Sequence, residues 1–370
     1  MNDIKKFNIF VFLSTLSKLM IEVFIPIFLY NKGFGINGVL VFLLIKFLTI
    51  FFITIPTSKI GKKIKFKNLM ILSNILFCFS CVFLNYINLN YFYLTLLAIL
   101  NALYLTFYWI SRHIYALNII TNKKTTESVS SFTIFSLIAG IPATYIGALI
   151  INHFGFLTLC IIVLLISLIS VIPLLKIKEK SEQETLNIKE IKKTFPKQNY
   201  FSLLFYQIFI VCISLFPLYI YLFVKKDIEY LGIVNIVCSI SSIIYIFFLA
   251  KLMDKKKKDF LSISCIFLAI TWILKLNITY EIAFLVITFF EGIFASGLET
   301  IISRNIYSYG NTQNYLSYIT FIEIINTIYR SIFIIFILIF GFDLKLILYF
   351  GLFSLIILSI IKFNDGKLGY

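Results

Sequence analysis

The sequence predicts an all-α integral membrane protein of about twelve transmembrane helices, arranged as two pseudo-symmetric six-helix bundles. Three observations carry this. Of 370 residues, 60% are hydrophobic and only 14% are charged, far too apolar for a water-soluble domain of this size. The apolar runs recur at the length of about twenty residues that a helix needs to cross about 30 Å of hydrocarbon. Motifs of the first half also return in the second at a nearly constant offset.

Taken in order, the spans are expected at 7–30, 37–57, 68–88, 92–115, 130–152, 156–176, 199–223, 229–252, 260–278, 281–303, 315–340 and 344–362, each bounded by polar, glycine or lysine-rich residues. Lys5 and Lys6 before the first run resemble the start of a signal peptide. Lys18 and Glu22 interrupt that run, however, and no small-residue cleavage site follows, so it is expected to stay as the first span. Residues 177–198 form the long polar stretch between the halves. Ile188, Ile191 and Phe195 make one apolar stripe there, expected to lie on the membrane interface as a cytoplasmic linker. The expected domains are therefore 1–176, the linker 177–198, and 199–370.

The net charge of +16 would point to nucleic acid in a soluble chain. Here the lysines sit between apolar runs: Lys59 to Lys67, Lys123 and Lys124, the linker, and Lys255 to Lys258. By the positive-inside rule this fixes both termini in the cytoplasm of a plasma membrane. The usage of Ile, Lys, Asn, Phe and Tyr suggests an AT-rich, bacterial genome. All six cysteines lie inside apolar runs, which argues against a disulfide framework, and His113 and His153 fall at opposite helix ends, so no metal or cofactor is expected.

The repeat is specific. ISRHIYA at 110–116 returns as ISRNIYS at 302–308, and Phe154, Gly155 and Phe156 return as Phe340, Gly341 and Phe342. Pro26 matches Pro217, and the basic turn near 58–67 answers the one near 254–258; all four pairs lie between 186 and 196 residues apart. A shared order and offset indicate duplicated halves.

Six plus six spans, a polar central linker and a basic turn after the second span of each half resemble the major facilitator superfamily across essentially the whole chain. That family carries a G-x-x-x-D-R-x-G-R-K type turn, which TIPTSKIGKK at 54–63 matches at Gly61, Lys62 and Lys63, with Ser58 at the acidic position. In the second half AKLMDKKKK at 250–258 supplies Asp254 at that position without the glycines. The resemblance implies a transporter that rocks its halves around a midplane cavity, with these turns as latches. A carboxylate such as Asp254 facing a helix N-terminus gains about 0.3–1 kcal/mol, whereas Ser58 can only cap as a neutral hydroxyl. AGIPATYIGALI at 139–150 is similar to the glycine- and proline-rich pattern of exporters in the family, and favours efflux slightly over uptake or exchange of a small charged metabolite.

Ionisable side chains inside the spans cost about 2.5–3.5 kcal/mol even on lenient scales, so each is a functional candidate. Lys18 and Glu22, four apart on one face, with Lys46 in the second span, leave a positive surplus suited to an anionic group. Glu291 lies mid-membrane with Glu299 two turns inward, and Glu323, Asn326 and Arg330 form one stripe. Desolvation favours the neutral form of a carboxylic acid, which makes Glu291, and after it Glu22, the first choices for carrying a proton. A permanent pair of Glu291 or Glu323 with Arg330 is the rival account. Asn101, Tyr104 and Tyr108 suit a cavity wall, with Tyr115 in the interfacial belt. Arg112 and Arg304, with Glu127 as a partner, suit a cytoplasmic gating network. Lipid, a small solute and protons are the expected partners of a monomer; nucleic acid is not. A membrane polysaccharide polymerase would need sizeable outer loops, which are absent here, so no enzyme is expected. A lipid-linked glycan flippase would not call for the matched basic turns.

Overall fold

The computed structural model describes residues 3–119, 125–177, 185–246, 260–312 and 314–361, and these are helical almost throughout. The helices are α1 (Asp3–Leu19), α2 (Ile25–Leu29), α3 (Gly35–Ile64), α4 (Phe66–Asn85), α5 (Tyr91–Ile119) and α6 (Thr125–Leu175). After these come α7 (Ile188–Thr194), α8 (Lys197–Tyr219), α9 (Ile228–Ile244), α10 (Phe260–Asn277), α11 (Glu281–Thr312), α12 (Tyr315–Phe340) and α13 (Leu344–Ile360).

Seven apolar stretches of the described residues are long enough to cross a bilayer. Two of them, Asp3–Ile64 and Ile134–Leu175, are long enough to cross twice, and three shorter apolar helices (Ile228–Ile244, Leu261–Asn277 and Leu344–Ile360) complete a twelve-span arrangement. Glycine makes the reversals inside the long stretches. Gly33 and Gly35 at φ 96° and 64°, and Gly155 at φ 82°, take backbone conformations that a Cβ would strain. Gly341, the repeat partner of Gly155, ends α12 in the left-handed conformation at φ 63°.

The first span is broken where its sequence reads as one helix. Pro26 cannot donate to the Glu22 carbonyl and its ring crowds that oxygen, so the chain tightens into a 3-10 turn over Glu22–Phe24. Beyond the proline it ends in a π-helical turn, Tyr30–Phe34, and the matching span, α8 with its Pro217, ends in the same way at Ile220–Val224. The duplication is thus visible in backbone geometry.

Contacts between the halves obey the same symmetry. The first limb of α6 packs on α9, and α3 packs on α12; a half-chain offset turns one of these pairs into the other. The π turns of the first and seventh spans meet across the axis, where the Asn31 amide donates to the Tyr221 hydroxyl at 3.2 Å.

The basic turn differs from expectation. Residues 54–63 are helical, because nothing before Lys65 stops α3; the chain reverses at Lys65 itself, with φ 75°. Gly61 permits this, since a Cβ there would sit 2.3 Å from the Phe66 ring. The linker stripe is also corrected. Ile191 and Phe195 are buried against Tyr318, Phe321 and Ile322 of α12, so the stripe docks on protein and not on lipid. Tyr115, assigned to the interfacial belt, is buried against Phe7 with ring centroids 4.7 Å apart.

Candidate functional site

The structure sorts the intramembrane charges into three groups. The first lies around the break in α1. Leu19 and Met20 carbonyls face α6, where Thr144 approaches the former at 3.5 Å and a Cβ on Gly147 would lie 2.2 Å from the latter. The break lies between Lys18 and Glu22, and the Glu22 charge still reaches the Lys18 ammonium. Glu22 accepts a short hydrogen bond from the Tyr104 hydroxyl. Lys18, 5% exposed, places its Nζ 2.9 Å from the Tyr108 ring centroid and has no hydrogen-bond acceptor among the described residues. Asn101 is buried on the same helix with its amide at the Tyr104 hydroxyl, and the Tyr108 hydroxyl, also buried, has no partner among the described residues.

The second group joins the halves. Arg330 donates from Nε to the Gln207 side-chain oxygen at 2.6 Å, and Gln207 donates in turn to Asn326 at 2.9 Å. The Arg330 guanidinium lies 5.2 Å from the Phe47 ring of the other half, and Lys46 lies 5.0 Å from the same ring. Glu323 sits in the field of Arg330, while Glu22 and Arg330 both act on Lys46. Glu299 is exposed, yet it lies within electrostatic reach of Arg112 from the other half and of Tyr206. Lys46, Glu323 and Arg330 are half-buried. Charged side chains of the two halves thus act on one another across the interface.

The third group is closed on itself. Lys275, 1% exposed, pairs with Glu291 at 2.5 Å, and Trp272 Nε1 donates to the other carboxylate oxygen at 2.9 Å. Phe216 and Phe284 cover the ammonium at 4.6 and 4.4 Å. Glu291 is therefore bound to Lys275 and not to Arg330, and the rival pairing holds in part for Glu323 alone. Lys275 and Gln207 escaped the sequence reading. Lys275 stands near the end of its span and reads as a boundary lysine, whereas Gln207 carries no charge.

The expected latches divide in a similar way. Ser58 caps no helix. It is buried inside α3, approaches the Thr54 carbonyl at 3.1 Å, and shares a hydrogen bond of 2.7 Å with Thr320 of α12. Lys62 is half-buried beside that contact end of α3. Arg112 donates to Ser136 at 3.2 Å and stacks over Trp109 at 4.9 Å. Asp254, and the side chains of Glu127 and Arg304, lie outside the described residues. At the opposite end of the molecule a cavity of about 340 Å³ lies between the halves, lined by Phe28, Asn152, Phe156, Tyr221 and Lys226 among others. Asn152 donates to Glu229 there at 2.7 Å.

Comparison with known proteins agrees with this architecture. A sequence model described as Major Facilitator Superfamily matches residues 7–321. Among solved structures the chain is similar to a bacterial homologue of the iron transporter ferroportin in an inward-facing state, at 13% identity, with 97% of each chain covered and a TM-score of 0.65. At that identity the likeness concerns the fold. No curated protein matches the sequence. Two symmetric bundles, charged side chains meeting between them, and a family match over most of the length lead to one conclusion: this chain belongs to the Major Facilitator Superfamily and is a membrane transporter.

Proposed function

We propose that the protein is a proton-coupled secondary transporter of a small solute, in which the bundles 1–176 and 199–370 rock around the space between them. The carrying observation is that Lys46, Arg112, Glu299, Glu323 and Arg330 act on one another across the interface between the halves. Glu299 takes the coupling role in this reading, because Glu291 is already held by Lys275 and Trp272, and Glu22 by Tyr104. A proton on Glu299 removes its attraction to Arg112 across the interface, so the same event that carries the proton also loosens one half from the other.

Export and uptake both fit this cycle. Gly140 and Gly147, in the stretch that resembles exporters, serve as close contact points for α9 and α1, and that packing role is independent of direction. The reading is tested by reconstituting the protein in vesicles with an imposed pH gradient. Solute flux is expected to follow the gradient in the native protein. Glu299→Gln should keep exchange while losing the response to the gradient. Flux of the native protein that ignores the gradient removes the coupling.

A further inference from the structure

Three buried donors of the first half take no part in the coupling just described. The Lys18 ammonium, the Tyr108 hydroxyl and the Ser111 hydroxyl are all buried, and none has a hydrogen-bond partner among the described residues. Tyr108 and Ser111 stand three apart on α5, and the Tyr108 ring lies directly under the ammonium. An ammonium presents three donors and no acceptor. Burying it with no hydrogen-bond acceptor among the described residues is among the costlier arrangements a membrane protein can keep.

Among the described residues that cost is met only in part. Glu22 is the carboxylate whose field reaches Lys18, but the hydrogen bond it accepts comes from the Tyr104 hydroxyl and not from the ammonium. Arg112 adds a second positive field at the same ammonium. A cationic solute would be repelled, and a neutral hydroxyl would accept a hydrogen bond but leave the ammonium's charge unanswered. An oxyanion answers both the charge and the donors at Lys18 and Tyr108, through charge-assisted hydrogen bonds.

We propose that Lys18 and Tyr108 form the subsite for an oxyanion of the transported solute, a carboxylate or a phosphate monoester. This inference rests on the transport reading for its purpose, although the binding it predicts does not depend on flux.

Trp109 offers a local reporter, with its ring 5.4 Å from Tyr108 and edge-on to it. Purified protein in detergent is titrated with pyruvate, succinate, glycerol 3-phosphate and inorganic phosphate, and with choline and glycerol as cationic and neutral controls, following tryptophan emission. At least one of the acids should give a saturable change that disappears in Trp109→Phe. Lys18→Met should weaken that binding by about tenfold or more, Lys18→Arg should retain most of it, and Tyr108→Phe should weaken it severalfold. Inorganic phosphate binding as tightly as its ester would identify a free anion as the ligand. The proposal is overturned if only choline or glycerol binds, if no acid gives a saturable response, or if an acid binds equally well to a folded Lys18→Met. Should Lys18→Met fail to fold, Tyr108→Phe decides the same question. Failure of the transport reading looks different: an acid that binds through Lys18 but never crosses a reconstituted membrane.

Discussion

The two halves descend from one pattern, yet they treat a buried lysine in opposite ways. In the second half Lys275 is answered completely: Glu291 at 2.5 Å, Trp272 on the far carboxylate oxygen, and phenylalanine rings on either side. In the first half Lys18 has a tyrosine ring beneath it and no hydrogen-bond acceptor among the described residues. A satisfied pair ties spans together and asks for nothing more. An unsatisfied one holds free energy in reserve for a partner that arrives from outside. In a duplicated chain, function is to be sought where the halves have stopped matching.

The largest effect expected from this comparison is at the closed pair. Removing one member strands a buried charge, so Glu291→Ala should cost about 3–5 kcal/mol, and the double substitution Lys275→Met with Glu291→Leu should recover most of that loss. Thermal unfolding in detergent measures both. A Glu291→Gln protein that stays folded but loses its response to a pH gradient would break the contrast, because the closed pair would then belong to the transport cycle. Next comes Gly147→Ala. Its new Cβ would stand 2.2 Å from the Met20 carbonyl oxygen, and the forced shift of α1 should cost about 1–3 kcal/mol. The same measurement should show Gly140→Ala milder, since its nearest neighbour is 3.4 Å away.

A smaller change is expected at the gate. Thr320→Val removes one hydrogen bond to Ser58, with a cost of about 0.5–1.5 kcal/mol that falls on the state in which α3 and α12 touch at that end. Cysteine accessibility at the inner ends of these helices should rise in consequence, and unchanged accessibility would mean that the contact does not gate. The least effect is expected on the surface. The carboxylate of Glu281, 2.8 Å away, holds the Lys225 ammonium above the usual lysine range. A group shifted in this direction contributes only below its own raised pKa and is lost above it, and solvent screens this exposed pair. Lys225→Ala should therefore leave unfolding unchanged near neutral pH, with or without added salt.

Much of this was legible in the chain. Twenty-residue apolar runs are dictated by bilayer thickness, and ISRHIYA with ISRNIYS, or Gly155 with Gly341, betray duplication because each pair keeps its place in its half. Stripes such as Glu323, Asn326 and Arg330 follow from the helix period alone. Partnerships between spans do not. Lys275 and Glu291 stand on different helices, and only the packing of α10 on α11 turns them toward each other. The broken first span was half-visible, in Pro26. That Glu22 would consequently turn to Tyr104 depends on α5, which lies some eighty residues away in sequence. Ser58 misled for a simpler reason: the helix it was expected to cap had already absorbed it.

That serine has a wider consequence. Where the family pattern has an acid, this chain closes α3 against α12 through two hydroxyls. Dissolved ions screen attractions between full charges over about 8–10 Å, but they scarcely touch a buried bond between neutral groups. Such a contact should hold alike in dilute and concentrated salt, so the join of α3 to α12 would be indifferent to the ionic strength around it.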